Sequence, residues 1–185
     1  MKIILVTGMD PSLKGAGVTH IKELTINLRN LGHQVYVFAP FIRDTKKDTD
    51  IFKRIPYVNL PFIRTLSFQL FLFFILIYHI LRNGVDVIYT RQESILIIPV
   101  IIARLVGKPH ISEVNGIFAE EAENFLSKLF IFIVAFVERI SYALSNKIIA
   151  VTSGIKNYIE AKYNIFGDKI VVVGNGANVD LFKPM

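Results

Sequence analysis

A glycine-containing loop near the amino terminus has the features of an anion-binding loop. Residues 8–17 include Gly15 and Gly17, which lack a Cβ and so allow a ligand to approach the backbone closely. A helical pattern of apolar residues begins near Val18, and the first N–H groups of a helix attract negative charge. A phosphate or pyrophosphate is the natural ligand of such a loop. The same glycines also fit a tight turn that binds nothing.

The loop departs from two familiar nucleotide-binding patterns. In the dinucleotide fingerprint a third glycine would stand at His20, and an acidic residue would end the second strand, where Pro40 stands instead. A P-loop would end in Gly-Lys-Ser or Gly-Lys-Thr, and that ending is missing. These departures disfavour a nucleotide-dependent oxidoreductase.

The elements that must position this loop alternate between strands and helices. Short β-branched runs predict strands at residues 2–7, 35–39, 57–60, 85–90, 110–114, 147–151 and 169–173. Helical patterns occupy residues 18–31, 66–81, 93–106, 125–144 and 154–163, with a kink expected at Pro99. The alternation predicts an α/β, Rossmann-like fold: a doubly wound parallel sheet with Gly15 and Gly17 at the carboxyl edge of its strands.

The composition is both apolar and basic. The 185 residues include no cysteine, are 52% hydrophobic and carry a formal net charge of +6. This combination favours contact with an anionic membrane surface or a lipid-linked substrate. Nucleic acid is disfavoured, because Lys and Arg are scattered rather than interleaved with aromatic residues. No signal peptide is evident, so we expect a cytoplasmic location, peripheral to the inner face of the membrane.

One helical stretch, residues 66–81, is apolar almost all round and is bracketed by Arg64 and Arg82. It is short for a membrane span, which needs about 20 apolar residues. A helix on a sheet buries only one side, so the remaining side chains must cover something else. Lipid, another subunit and a further domain all remain open.

Four stretches in order along the chain carry a family resemblance: residues 15–24, 31–37, 149–153 and 174–184. Together they resemble the N-terminal half of a retaining glycosyltransferase of the GT-B fold, of the large family 4 type. The most specific is the last, Gly174-Asn175-Gly176-Ala177-Asn178-Val179-Asp180-Leu181-Phe182-Lys183-Pro184. It is similar to the signature that ends the first domain of this family.

The resemblance implies an enzyme with two Rossmann-like domains and an active site in the cleft between them. Residues 1–185 would then form one acceptor-side domain. The C-terminal domain, which holds most of the contacts to the nucleotide sugar, would be absent from this chain, so we expect the chain alone to be inactive. Because the nucleotide sugar is a substrate, the resemblance implies no cofactor and no metal.

The resemblance also implies roles for individual residues, although it identifies no catalytic residue. Gly15 and Gly17 would face the phosphates or the transferred sugar of the donor, and His20 would face the same space. Asn115 stands where many relatives have a histidine before a glycine, and its amide can still hydrogen-bond a sugar hydroxyl. Glu120 would bind acceptor hydroxyls, unless it is simply a solvated surface residue.

At the end of the chain, Asn175 and Gly176 would form a turn at the rim of the cleft, or a plain turn after a strand. The predicted function is transfer of a sugar from a nucleotide-sugar donor to a carbohydrate or lipid-linked acceptor, in the synthesis of cell-envelope polysaccharide. The alternative is a standalone Rossmann-like module that docks a membrane or a partner protein.

Overall fold

The computed structural model describes residues 1–41, 52–60, 63–93, 95–118, 127–165 and 167–176. Among the described residues, strands and helices alternate except between the second and third strands, and a short 3-10 helix (Gly167–Lys169) precedes the last strand. The strands are β1 (Lys2–Val6), β2 (Gln34–Pro40), β3 (Phe52–Ile55), β4 (Val87–Gln92), β5 (His110–Val114), β6 (Lys147–Ala150) and β7 (Ile170–Val172). The helices are α1 (Ala16–Asn30), α2 (Ile63–Asn83), α3 (Ile98–Leu105), α4 (Lys128–Leu144) and α5 (Ser153–Tyr163).

The described strands form one seven-stranded parallel sheet in the order β3-β2-β1-β4-β5-β6-β7. The chain reverses direction across the sheet between β1 and β4. The loops after these two neighbouring strands therefore leave in opposite directions, which is where open α/β sheets bind ligands. The predicted α/β parallel sheet is confirmed.

Alternate side chains of β1 serve two cores, one on each face of the sheet. Ile3 and Leu5 pack with Ile21 of α1 on one face. On the other face, Ile4 and Val6 belong to the core that contains the buried side of α2. Pairing in register across β1, β4, β5 and β6 connects Val6, Thr90, Ser112 and Ile148, so these residues share one face of the sheet. On that face Ile148 packs in a core with residues of α4 and α5. The sheet is therefore covered by α1 on one face and by α2 to α5 on the other.

The third strand lies earlier than predicted. The sequence pattern indicated residues 57–60, whereas β3 runs from Phe52 to Ile55 and residues 56–60 form no strand. Pro56 has no N–H to continue the sheet ladder, so pairing ends there. The next segment turns towards α2, and the Val58 N–H donates to Ser67 Oγ at 3.0 Å.

Three other boundaries also differ from the prediction. β4 lies two residues later than expected, at Val87–Gln92. α3 begins at Ile98 rather than near Glu93, and Pro99 stands in its first turn, where a missing N–H costs nothing, so it does not kink the helix. α2 runs from Ile63 to Asn83 rather than over residues 66–81. Its 21 residues, with a mean hydropathy of 1.7, are long and apolar enough to span a membrane, although 28% of its most apolar stretch is buried.

Candidate functional site

A buried carboxylate at the carboxyl edge of the sheet gathers residues from three elements. Glu113, near the end of β5, is 2% exposed. Its Oε2 accepts a hydrogen bond from the Tyr89 hydroxyl of the neighbouring β4, and its Oε1 accepts one from the Asn115 amide. His20 of α1 places Nε2 2.8 Å from the same Oε1. These four residues are called the Glu113 cluster below.

The Glu113 side chain carries a negative charge. Burial raises the pKa of Glu113, but the contacts with His20, then Tyr89 and Asn115, outweigh burial and hold the pKa below its usual value. Glu113 is therefore a carboxylate at neutral pH, and it forms an ion pair with His20 whenever the imidazole is protonated. Burial, followed by the charge of Glu113, raises the pKa of Tyr89, so its hydroxyl stays a hydrogen-bond donor.

A second carboxylate lies where β1 and β4 diverge. Glu93 Oε1 accepts hydrogen bonds from Thr7 Oγ1 and from Arg91 Nη1, each at 2.8 Å. Burial raises the pKa of Glu93, opposed by Thr7, Arg91 and the Gly8 backbone. A Cβ at Gly8 would stand 2.9 Å from Glu93 Oε2, so a side chain there would displace the carboxylate. This pairing fixes the β1 loop against the end of β4.

The two predicted loop glycines differ in their surroundings. A Cβ at Gly17 would stand 2.5 Å from Met9 Sδ and 3.2 Å from Arg91 Nη2, so the absence of a side chain lets both residues approach the first turn of α1. A Cβ at Gly15 would meet nothing within 4 Å. No side chain caps the start of α1. Its first N–H groups therefore remain available to an anion.

The remaining predicted residues are distributed unevenly. Asn175 follows β7 and donates from Nδ2 to Asn115 Oδ1 at 3.5 Å, which brings it to the Glu113 cluster. Gly176 comes next, with open space around it. Glu120 lies outside the described residues, so its predicted position is untested. The structure thus places His20, Asn115 and Asn175 together at the edge that also carries Gly15 and Gly17.

A crevice of about 70 Å³ opens on the α2 side of the same edge. Its polar lining comes from Arg64 and Thr65 in the first turn of α2 and from Glu93, and its apolar lining includes Phe68 and Leu96. Within the described residues, no group of three His, Asp or Glu side chains is placed to hold a metal ion. The edge therefore offers an anion-binding helix end, an imidazole, two amides and a small polar crevice.

Sequence reasoning missed both carboxylates. Glu113 was read as an ordinary strand residue, and Glu93 as the start of a helix. A signal for Glu113 was present, because a charged residue inside a strand of a parallel sheet must be paired if it is buried. What it pairs with depends on β4 and α1, which no local pattern reveals. Each carboxylate is held by several partners, which suits positioning rather than nucleophilic attack.

The family model described as Glycosyltransferase Family 4 matches residues 17–181. No curated protein matches the chain. Several solved structures share its fold. Sucrose-phosphate synthase from Thermosynechococcus elongatus aligns with a TM-score of 0.73 at 14% identity, over 100% of this chain and 51% of its own.

Two further structures are similar. The HepE protein of Anabaena, in complex with UDP-glucose, gives a TM-score of 0.68 at 15% identity, over 100% of this chain and 46% of HepE. The lipopolysaccharide outer core galactosyltransferase WaaB gives 0.67 at 15% identity, over 97% of this chain and 47% of WaaB. Identities this low show a shared fold only. The chain spans about half the length of the structures that it matches.

Proposed function

The chain belongs to glycosyltransferase family 4, and from this premise we propose that it is the N-terminal, acceptor-side domain of an enzyme that transfers a sugar from a nucleotide-sugar donor to an acceptor. Its fold matches the N-terminal half of GT-B enzymes. The observation that carries the proposal is the convergence of His20, Asn115 and Asn175 beside the uncapped start of α1. Groups that bind hydroxyls and a group that binds phosphate then lie at one edge, as a nucleotide sugar requires.

In this proposal the start of α1 stabilises the departing nucleoside diphosphate. The bond between the anomeric carbon and the phosphate oxygen breaks, and negative charge develops on that oxygen. Free N–H groups at Gly15 and Gly17, with the positive end of the α1 dipole, meet this charge without reorganising. The acceptor oxygen bonds to the anomeric carbon as its proton passes to the departing phosphate oxygen.

The Glu113 cluster positions the donor sugar in this account. The Glu113 carboxylate lies 2.8 Å from His20 Nε2 and accepts a hydrogen bond from the Asn115 amide, so both side chains keep one orientation. His20 and Asn115 then donate to sugar or phosphate oxygens, and Asn175 and Gly176 close the rim. Fixed donors of this kind lower the barrier because they need not reorient during the reaction.

The acceptor is, in our proposal, a carbohydrate or a lipid-linked glycan of the cell envelope, bound from the cytoplasmic side of the membrane. Two observations support this choice. The fold is similar to that of a lipopolysaccharide outer core galactosyltransferase. The crevice beside Glu93 also has a cationic wall, Arg64, suited to an anionic acceptor. Glu120 stays a candidate for binding acceptor hydroxyls.

The proposal is tested by titrating the full-length protein with a panel of nucleotide sugars in a calorimeter. We expect one or a few donors to bind, and Asn115→Ala to weaken binding by about tenfold, as loss of one buried hydrogen bond to a ligand does. Glu160→Gln is a matched control, because Glu160 lies on α5 and pairs only loosely with Lys156, at 3.8 Å. A full-length protein that binds no nucleotide sugar would instead favour the standalone binding module.

A further inference from the structure

The side of α2 that faces away from the sheet is apolar along its whole length. Phe68, Leu72 and Leu76 are buried against the sheet. The opposite side is between 40% and 80% exposed, and its large side chains are Ile63, Leu66, Leu70, Phe71, Phe74, Tyr78 and Leu81. A helix on the surface of a soluble domain ordinarily carries charged residues at such positions. The exposed patch predicted for this stretch is confirmed.

A second helix on the same face of the sheet repeats this arrangement. α4 buries Val134 and Tyr142 and exposes Leu129, Phe132, Ile133 and Phe136. α3 packs against both α2 and α4, so it lies between them. The exposed apolar side chains of α2 and α4 are together called the docking face.

The exposed charges within α2, α3 and α4 have one sign. The three helices carry five cations, Arg64, Arg82, Arg104, Lys128 and Arg139. Their one acidic residue is Glu138, which is 2% exposed and accepts a hydrogen bond from the Tyr163 hydroxyl. The docking face therefore combines apolar side chains with cations at least partly exposed on the same helices, and α2, α3 and α4 as described carry no exposed carboxylate.

We infer that the docking face binds an anionic lipid bilayer, with α2 and α4 lying in the plane of its surface. An apolar surface with a cationic rim complements acyl chains below anionic headgroups. The same charges disfavour a second copy of this chain, since pairing two docking faces would bring cations against cations. α2 cannot cross the bilayer while Phe68, Leu72 and Leu76 are packed on the sheet, so it lies along the surface.

This geometry bears on the acceptor and to that extent rests on the proposed function. Both helices return from the carboxyl edge of the sheet, so each begins beside the site. Arg64 and Thr65, in the first turn of α2, line the crevice that also contains Glu93. A lipid-linked acceptor can thus bring its headgroup to the crevice while its chain stays in the bilayer beside Leu66 and Leu70.

The test is co-sedimentation of the full-length protein with vesicles of phosphatidylcholine alone or mixed equally with phosphatidylglycerol. We expect binding to the mixed vesicles, weakened at high salt because salt screens the cations. Phe74→Ser with Phe132→Ser should lower the partition coefficient at least about tenfold, because two aromatic side chains no longer insert. Ile26→Ser is the matched control, since Ile26 is 42% exposed on α1, on the opposite face. Unchanged circular dichroism would establish that each variant folds.

The inference would be overturned if the protein bound neither kind of vesicle, or if the double variant bound as well as the wild type. It would also be overturned if hydrogen exchange in the lipid-free protein showed that another copy or another domain covers α2 and α4. Donor binding is measured separately on the same variants. A double variant that keeps nucleotide-sugar affinity but loses vesicle binding supports the docking face. A protein that binds vesicles but no nucleotide sugar leaves the docking face standing and rejects the transferase.

Discussion

Nε2 of His20, on the first helix, lies 2.8 Å from Oε1 of Glu113, at the end of the fifth strand. The contact joins two segments that are 93 residues apart in the chain and lie on opposite sides of the β1–β4 reversal. Burying a carboxylate is unfavourable unless it has partners, and this one has three, because it also accepts hydrogen bonds from Tyr89 and Asn115. Glu113 therefore fixes the positions of all three side chains. Several expectations depend on this arrangement.

Replacing Glu113 by glutamine should damage both stability and activity. The amide of the E113Q variant keeps the shape but loses the charge, and its NH₂ group faces the donors on Tyr89, Asn115 or His20. We expect about 1–3 kcal/mol less free energy of unfolding, the usual cost of an unsatisfied buried polar group. Urea denaturation measures this. Glu160→Gln, which removes one side of a partly exposed, 3.8 Å ion pair with Lys156, should change the free energy by less than about 0.5 kcal/mol.

Substituting the loop glycines should separate packing from ligand binding. Gly17→Ala places a Cβ against Met9 and Arg91, whose side chains must move away from the start of α1. We expect about tenfold weaker donor binding by the full-length protein, because a displaced side chain disturbs the anion site. Gly15→Ala meets open space and has an extended backbone, so its fold should be unchanged. Equal stability losses for the two variants would contradict this reading.

A buried histidine should make the fold sensitive to acid. His110 is 0% exposed, and its two ring nitrogens each lie 2.9 Å from a hydroxyl, of Ser145 and of Thr90. Burial, followed by the nearby Arg104, lowers the pKa of His110 to about 3. The folded chain therefore keeps this imidazole neutral at a pH where the unfolded chain protonates it.

The sign of this effect follows from proton uptake. Stability is complete above the unfolded pKa of about 6.5 and is lost as the pH falls towards 3, since the unfolded state then binds the extra proton. From this histidine we expect the free energy of unfolding to drop by about 2 kcal/mol between pH 7.5 and pH 5. Denaturation curves at the two values test it. His110→Gln should flatten the dependence over this range, and an unchanged slope in that variant would exclude His110 as its source.

Residues 1–185 expressed alone should bind nucleotide sugars weakly or not at all. The chain spans about half of the structures that share its fold, and its described site offers groups that suit phosphate and hydroxyls beside a crevice of about 70 Å³. Calorimetry of this fragment and of the full-length protein, with the same donors, makes the comparison. Micromolar affinity in the fragment would mean that the donor is held on this half.

The strands that were predicted well are those whose position follows from their own local sequence. β1 is a short run of buried, mostly β-branched residues followed by the turn residue Gly8, and local pattern is enough for such a segment. β5 lies between Pro109 and the turn residue Asn115, which mark its two ends. β3 was misplaced because only Phe52 and Ile55 are buried in it, and its pairing is set by β2. A four-residue edge strand with only two inward side chains shows too little periodicity for its position to be predicted from the sequence.

The candidate site likewise contains residues that could be predicted from the sequence and residues that could not. His20, Asn115 and Asn175 were predicted from the family resemblance. They meet in the structure because parallel sheets bring the residues that follow their strands, and the starts of the returning helices, to one edge. Their common partner, Glu113, could not be inferred from its neighbours. The ring of contacts that keeps its charge is built from β4, β5 and α1, and such a ring exists only once the sheet is assembled.

Acceptor-dependent release of nucleoside diphosphate by the full-length protein tests the central claim most directly. Each donor that binds is added to the protein with and without membrane lipid as the source of acceptor. The glycosylated product is identified by mass spectrometry. We predict product formation by the wild type and by Glu160→Gln, and at least about a tenfold loss of turnover in Glu113→Gln, since the positioned donors of the site are disturbed. Turnover that is unaffected by Glu113→Gln, or a donor that is altered without transfer to any acceptor, would contradict the account.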